Sequence, residues 1–212
     1  MHRSFAIPTR SLLFITLAIS AVWAHAQAGV GLKLVQFRPA GELGFAMKKK
    51  LIPELVVSVG HPEDRPLGFK FGLSVAKLKP RSDTIPHWAI NYSGSSGTTI
   101  LPSPLVWHLY NMYLVYGGFH YFLTISEPLY FYPGLDIVIA GIDIEYDSHN
   151  SVISQSASDT HVAGGLRPRI GFHVTLGYHH AIFIEASRSL YRSTLSGFDY
   201  HNDVGLGYLF QF

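Results

Sequence analysis

The last ten residues, Asp203 to Phe212, alternate by twos to an aromatic final position. Val204, Leu206, Tyr208, Phe210 and Phe212 share one face of a strand, while Asp203, Gly205, Gly207, Leu209 and Gln211 share the other. A water-soluble sheet would turn the small and polar face to solvent. Here the smallness suits a crowded barrel interior and the bulky face suits lipid. The chain is therefore read as all-β, an antiparallel transmembrane β-barrel.

The opening of the chain fits export. Met1-His2-Arg3 and Arg10 precede the apolar run Ser11 to Trp23, and Ala24-His25-Ala26 supplies a small-x-small cleavage site. Residues 1–26 are predicted to be a signal peptide, because the apolar run is shorter than the ~20 residues a spanning helix needs. Residues 27–212 then form one barrel domain. Pro, Gly or a charge interrupts every later apolar run, so any membrane crossing falls to strands.

Without the leader, Arg3 and Arg10 leave the total of 16 basic residues, and the mature chain balances at zero against 14 acids. That balance gives no support to nucleic-acid binding. The absence of Cys excludes disulfides and thiolate metal sites, so backbone pairing and packing must hold the fold.

Strands are predicted at Gly29 to Val35, at Leu51 to Gly60, and at Leu67 to Ala76, where Phe69, Phe71, Leu73 and Val75 alternate with Gly68, Lys70, Gly72 and Ser74. Glu42 to Lys48 also alternates, with Leu43, Phe45 and Met47 assigned outward. Lys79 to Pro104 reads as a long loop, with a short strand at Trp88 to Tyr92. In Leu105 to Ile125 the assigned outward set changes from Tyr110, Met112, Leu114 and Tyr116 to Phe119, Tyr121, Leu123 and Ile125. A bulge at Gly117-Gly118 would restore the facing; a hairpin there would instead make ten strands.

Pro128 to Pro133 is expected to be a turn, with Tyr130-Phe131-Tyr132 at the membrane edge. Strand five is predicted over Leu135 to Asp147, with Val138, Ala140, Ile142 and Ile144 outward and Asp143 and Glu145 inward. Strand six turns Ile170, Phe172, Val174 and Leu176 out and Arg169, His173 and Thr175 in; strand seven turns Glu185 and Ser187 in. Parity demands a three-residue connection between strands six and seven, placing Glu185 opposite Thr175 or His173 and out of direct reach of Arg169, whose partner is then Asp143, Glu145 or another inward acid. Eight strands put the short turns on the side of both termini and the long connections on the other side, so eight is preferred to ten.

The leader, the alternating spans, the long outer loops and the terminal Tyr208-Leu209-Phe210-Gln211-Phe212 resemble the bacterial outer-membrane β-barrel families, above all the small OmpA-like and OmpX-like eight-stranded barrels. The resemblance covers nearly the whole mature chain. It implies an outer-membrane location and a structural, adhesive or unknown role. It also implies outer-membrane lipid and lipopolysaccharide as surroundings, and recognition of Tyr208, Phe210 and Phe212 by the barrel-assembly machinery. A peptidoglycan-binding domain after Phe212 is not expected, so the two-domain OmpA arrangement is not part of what the resemblance implies.

Lys33, Glu54, Lys70, Asp143, Glu145, Arg169, His173 and Glu185 are the expected interior charges. An eight-stranded interior is filled by side chains, so a closed polar network is expected rather than a pore. His173, Thr175 and Glu185 have the groups of a base, hydroxyl nucleophile and orienting carboxylate, and the set is similar to the His-x-Ser pair and Glu of lipid A deacylase barrels. Thr in place of Ser, and a position inside the lumen, speak for a packed interior His instead. His149, Asp159 and His161 in an outer loop are candidates for a metal site, against the simpler reading of a solvated loop. Lys48-Lys49-Lys50 would meet lipopolysaccharide phosphates or simply be solvated. His179-His180 is expected to be merely exposed. No cofactor and no catalysis are expected. The alternatives are a lipid A-modifying enzyme of the same shape and a soluble exported β-barrel or β-sandwich binder.

Overall fold

A computed structural model describes residues 27–40, 47–81, 84–85, 88–92, 98–102, 105–149, 154–193 and 199–212. Twelve strands follow in order: β1 (Ala28–Pro39), β2 (Lys50–Val59), β3 (Leu67–Lys77), β4 (Thr84–Ile85), β5 (Trp88–Tyr92), β6 (Thr98–Pro102), β7 (Leu105–Tyr121), β8 (Leu123–Ser126), β9 (Leu129–His149), β10 (Ser154–Thr175), β11 (His180–Ser193) and β12 (Tyr200–Gln211). Eight of them, β1, β2, β3, β7, β9, β10, β11 and β12, make an antiparallel ring. β1 pairs with β12 from Gly29↔Gln211 to Pro39↔His201 and closes it.

Short turns lie on the side of the termini, here the inner rim. Glu127-Pro128 joins β8 to β9. Between β10 and β11, Leu176 N–H donates to the His180 carbonyl, leaving Gly177-Tyr178-His179 as a three-residue connection. Gly177 takes φ +78°, a conformation that a Cβ would strain. The long connections leave from the outer rim. The one between β3 and β7 carries the β5–β6 hairpin, and β4 extends the β7 edge. β9 and β10 run for 21 and 22 residues, against 12 for β1, so this part of the wall rises well past the others.

Outward side chains are apolar around the ring: Leu32, Leu55, Leu73, Val115, Ile137, Ile170, Ile184 and Leu206 are all exposed, Ile137 by 66%. Such a belt is stable against hydrocarbon and costly against water.

Facing differs from the sequence expectation in two neighbouring strands. Tyr110, Met112, Leu114 and Tyr116 of β7 point inward, as do Val138, Ala140, Ile142 and Ile144 of β9; Asp143 and Glu145 therefore lie on the outward face. The two sets are cross-strand partners, Met112↔Ile142, Leu114↔Ala140 and Tyr116↔Val138. Together with Phe37, Ile52, Ala76 and Leu78 they pack an apolar plug in the outer half of the lumen, so bulk there marks the interior. β7 passes Gly117-Gly118 without a bulge or a hairpin; its irregularity lies between Trp107 and Leu109. Met47 also points in, at 1% exposure, while Leu43 and Phe45 lie outside the described residues.

β9 begins at Leu129 rather than Leu135, which puts Tyr130 and Tyr132 in the lumen instead of at the membrane edge and leaves Phe131 against Phe172 outside. The segment read as an outer loop carrying His149, Asp159 and His161 is strand over its described residues, paired from Ser154↔His149 onward.

Candidate functional site

Below the apolar plug the lumen holds an ion network. Inward parity on β1, β2, β3 and β11 brings Lys33, Glu54, Lys70 and Glu185 to one level, each no more than 3% exposed. Lys33 Nζ reaches Glu185 Oε1 at 3.0 Å, pairs with Glu54 and donates to the Tyr116 hydroxyl at 3.2 Å. Tyr116 in turn donates to Glu54. Lys70 Nζ reaches Glu185 Oε2 at 2.9 Å and donates to the Tyr132 hydroxyl at 3.1 Å, while Tyr132 donates to the same Oε2. Lys70 also sits over the Phe183 ring, 4.2 Å from its centroid.

Arg169 completes the cage. Its Nε binds Asp136 at 3.0 Å and its Nη1 lies 3.3 Å from Glu185 Oε2. Arg169 and Glu185 thus meet directly, contrary to the sequence expectation, because the β10–β11 register sets Glu185 opposite Gly171, one dyad nearer to Arg169. The acid that binds Arg169 beside it is Asp136, not Asp143 or Glu145. Asp143 instead accepts a 2.9 Å hydrogen bond from Thr160 outside the lumen.

Arg167 has no exposed surface and was not among the expected interior charges. It stacks 3.9 Å from the Tyr116 ring centre, donates to Ser187 Oγ at 3.0 Å, and faces Asp203 and Glu185 at 3.6 and 3.9 Å. Among the described residues the buried charges number four cations, Lys33, Lys70, Arg167 and Arg169, and four carboxylates, Glu54, Asp136, Glu185 and Asp203. Such a balance is what burial demands, since an unmatched charge in low dielectric costs several kcal/mol.

Glycines make the space. A Cβ on Gly72 would strike the Tyr116 ring, one on Gly171 the Tyr132 ring, and one on Gly207 the Phe183 ring. Each large interior ring lies across a neighbouring strand that carries no side chain there.

At the inner end, His120, Phe122, Tyr130, Tyr132 and His173 form an aromatic cluster; Phe122 lies 4.7 Å from the His120 ring and 5.3 Å from His173. His173, Thr175 and Glu185 do not form a reactive set. Glu185 is held by cations higher in the lumen, and Thr175 Oγ1 turns to Glu63 at 3.5 Å.

Asp159 and His161 are neighbours on one face of β10, but His149 stands apart from them. The strand partners of His149, Asp159 and His161 are Ser154, Ile144 and Ile142, so His149 stands seven residues up β9 from the partner of His161, roughly 20 Å at the usual rise. No group of three His, Asp or Glu suited to a metal ion occurs among the described residues. Lys48 and Lys49 are exposed and Lys50 donates to the Lys77 carbonyl. His179 and His180 are exposed yet engaged, at 2.9 Å from the Gln211 carbonyl and 2.6 Å from the Tyr208 hydroxyl. Tyr208, Phe210 and Phe212 all face outward.

No family model matches the chain, and no curated protein does. Solved structures match its fold. Neisserial surface protein A (NspA) is 11% identical with a TM-score of 0.52, over 88% of this chain and 97% of that one. A major outer membrane protein from Thermus thermophilus is 14% identical with a TM-score of 0.53, over 88% and 99%. The chain has the eight-stranded barrel fold of these outer-membrane proteins.

Proposed function

We propose that this chain is a bacterial outer-membrane protein that crosses the bilayer as a closed, non-conducting barrel and serves, without catalysis, as a scaffold for its outer hairpins. The observation that carries this reading is the filled lumen: four cations matched to four carboxylates beneath an apolar plug, inside a wall whose outward face is apolar. An ion moving through would have to separate buried pairs and displace packed side chains, both costly steps. Lipid and lipopolysaccharide are the surroundings that such a wall fits. Residues 1–26 act as the cleaved export signal, and Tyr208, Phe210 and Phe212 as the terminal signal for barrel assembly.

A lipid-modifying enzyme is the weaker reading, because the oxygens of Glu185 are held by Lys33, Lys70 and Arg169 and the Thr175 hydroxyl bonds to Glu63 instead. A soluble binder would leave Leu32, Ile137 and Leu206 against water, which disfavours it. Envelope fractionation joined to planar-bilayer recording tests the proposal. The protein is expected in the outer-membrane fraction and, reconstituted, to give no conductance above the empty bilayer. Stable unitary conductance steps, or recovery from the soluble fraction without detergent, would overturn it.

A further inference from the structure

The outward face carries a charge pattern set by register. On β1, β12 and β11 the residues Arg38, Asn202 and Arg188 are direct partners in one row, since Asn202 pairs with Arg38 on one side and Arg188 on the other. All three share the face of Leu34, Val204 and Ala186 and lie toward the outer rim from them, directly above Val204 and Ala186 and, on β1, above Leu34 with Gln36 between. Neighbouring strands lie about 4.8 Å apart, so the two arginine Cα atoms are roughly 10 Å apart with an amide between them. Two forked guanidiniums at that spacing can converge on one tetrahedral anion.

The row is braced. Gln36 Oε1 accepts from Arg38, with Nε at 2.6 Å, and the Arg188 guanidinium lies 4.3 Å from the Tyr200 ring centre. Lys49, exposed beside the start of β2, extends the arc. Among the described residues the acids of β1, β2, β11 and β12 are Glu54, Glu185 and Asp203, and all three point into the lumen. No described acid shares the outward face of these four strands within their bounds; the exposed Asp199 stands one residue before β12, its carbonyl accepting from Tyr191 N–H. The acids Asp143, Glu145 and Asp147 sit on β9, two strands from β11 and four from β1 around the ring, and the exposed Asp159 stands on β10 ten residues toward the outer end from Arg169, the partner of Ser187.

We propose that Arg38, Asn202 and Arg188 form a phosphate clamp for a phosphorylated lipid of the outer leaflet, with Leu34, Val204 and Ala186 beneath it receiving the acyl chains. This rests on the membrane-spanning reading above and gives it one fixed lipid position. Rim arginines exposed to water alone would be simple solubilising charges; placed at the upper edge of an apolar belt, they meet the level where a lipid headgroup carries its phosphates.

The test uses the full mature chain folded into phosphatidylcholine vesicles containing either diphosphoryl lipid A or its dephosphorylated form, then extracted gently for native mass spectrometry. The wild-type barrel is expected to retain diphosphoryl lipid A about tenfold more than the dephosphorylated lipid. Arg38→Gln with Arg188→Gln is expected to abolish that preference, whereas Lys77→Gln with Arg65→Gln, elsewhere on the two rims, keeps it. Should the glutamine pair fail to fold, Arg38→Lys with Arg188→Lys preserves charge and is expected to bind more weakly, because lysine lacks the fork.

Millimolar inorganic phosphate distinguishes the source. No competition supports a lipid headgroup, and full displacement assigns the site to free phosphate and overturns the lipid claim. Equal retention of both lipids by the wild type, or unchanged preference in the arginine variants, overturns the clamp while leaving the inserted barrel standing. Failure of the wild type to insert at all overturns the barrel reading and the clamp with it.

Discussion

Glu185 is the residue on which the lumen turns. Lys33, Lys70, Arg169 and Arg167 all approach its two oxygens, and its removal would leave a net excess of buried positive charge. Glu185→Gln keeps the shape and deletes the charge, so it is expected to destabilise the folded barrel by about 3–5 kcal/mol, read as a lower urea midpoint in vesicles. Adding Lys70→Met should recover part of that loss, since the remaining charges balance again; a double variant no better than the sum of the singles would argue against coupling. The interior glycines set a second constraint. Gly207→Val would drive a side chain into the Phe183 ring and is expected to cost about 1–3 kcal/mol, whereas Gly164→Ala, with open space around its Cβ, should be nearly neutral.

Elements differ in how openly they declare their facing. β7 and β9 carry apolar residues on both sides because the plug fills the outer lumen with Tyr110, Met112, Leu114 and Ile142. Leu135→Arg, on the outward face of β9, is expected to lower stability in vesicles by about 2–4 kcal/mol, the penalty of a charge set in hydrocarbon. The same pattern explains what could and could not be read from the chain. β1, β3, β12 and the inner part of β10 from Arg169 onward were legible because bulk faces lipid and small or polar groups face in, so Lys33, Lys70, Arg169 and His173 could be assigned to the lumen from parity alone. β9 was not, since Ile137, Val138, Ile139 and Ala140 offer no contrast between faces. Its acids occupy both parities, Asp136 and Asp143, and only the depth of each decides which must turn inward. Starting the strand at Leu135 left Asp136 beside a turn; starting it at Leu129 sets Asp136 at mid-wall, where an outward charge is untenable. Arg167 was hidden in the same way, beside Pro168, which has no N–H to donate and sits where the β10–β11 pairing passes from Leu166↔Leu190 to Arg169↔Ser187.

At the scale of the molecule, the wall is taller than a bilayer on one side. A span uses about 9–11 residues, and β9 and β10 each have roughly twice that. Their outer ends should therefore be dispensable for insertion. Excision of residues 145–158, which are joined at paired positions Glu145 and Ser158, is expected to leave a barrel that still resists dissociation in cold detergent and unfolds on boiling. Failure of that variant to fold would mean that the projecting hairpin helps to nucleate the ring.

The seam between β1 and β12 places Ala28 and Phe212 in mutual backbone contact, with Phe212 N–H donating to the Ala28 carbonyl at 2.9 Å. A cylinder sealed in this manner has no privileged beginning in space. Splicing residue 212 to residue 28 through a few glycines and cutting instead at Glu127-Pro128 would keep every rung of every ladder, so such a circular permutant should reach the same shape when refolded in vitro. In the cell it would present a different final strand to whatever inserts it, and so would separate the information needed for shape from the information needed for delivery.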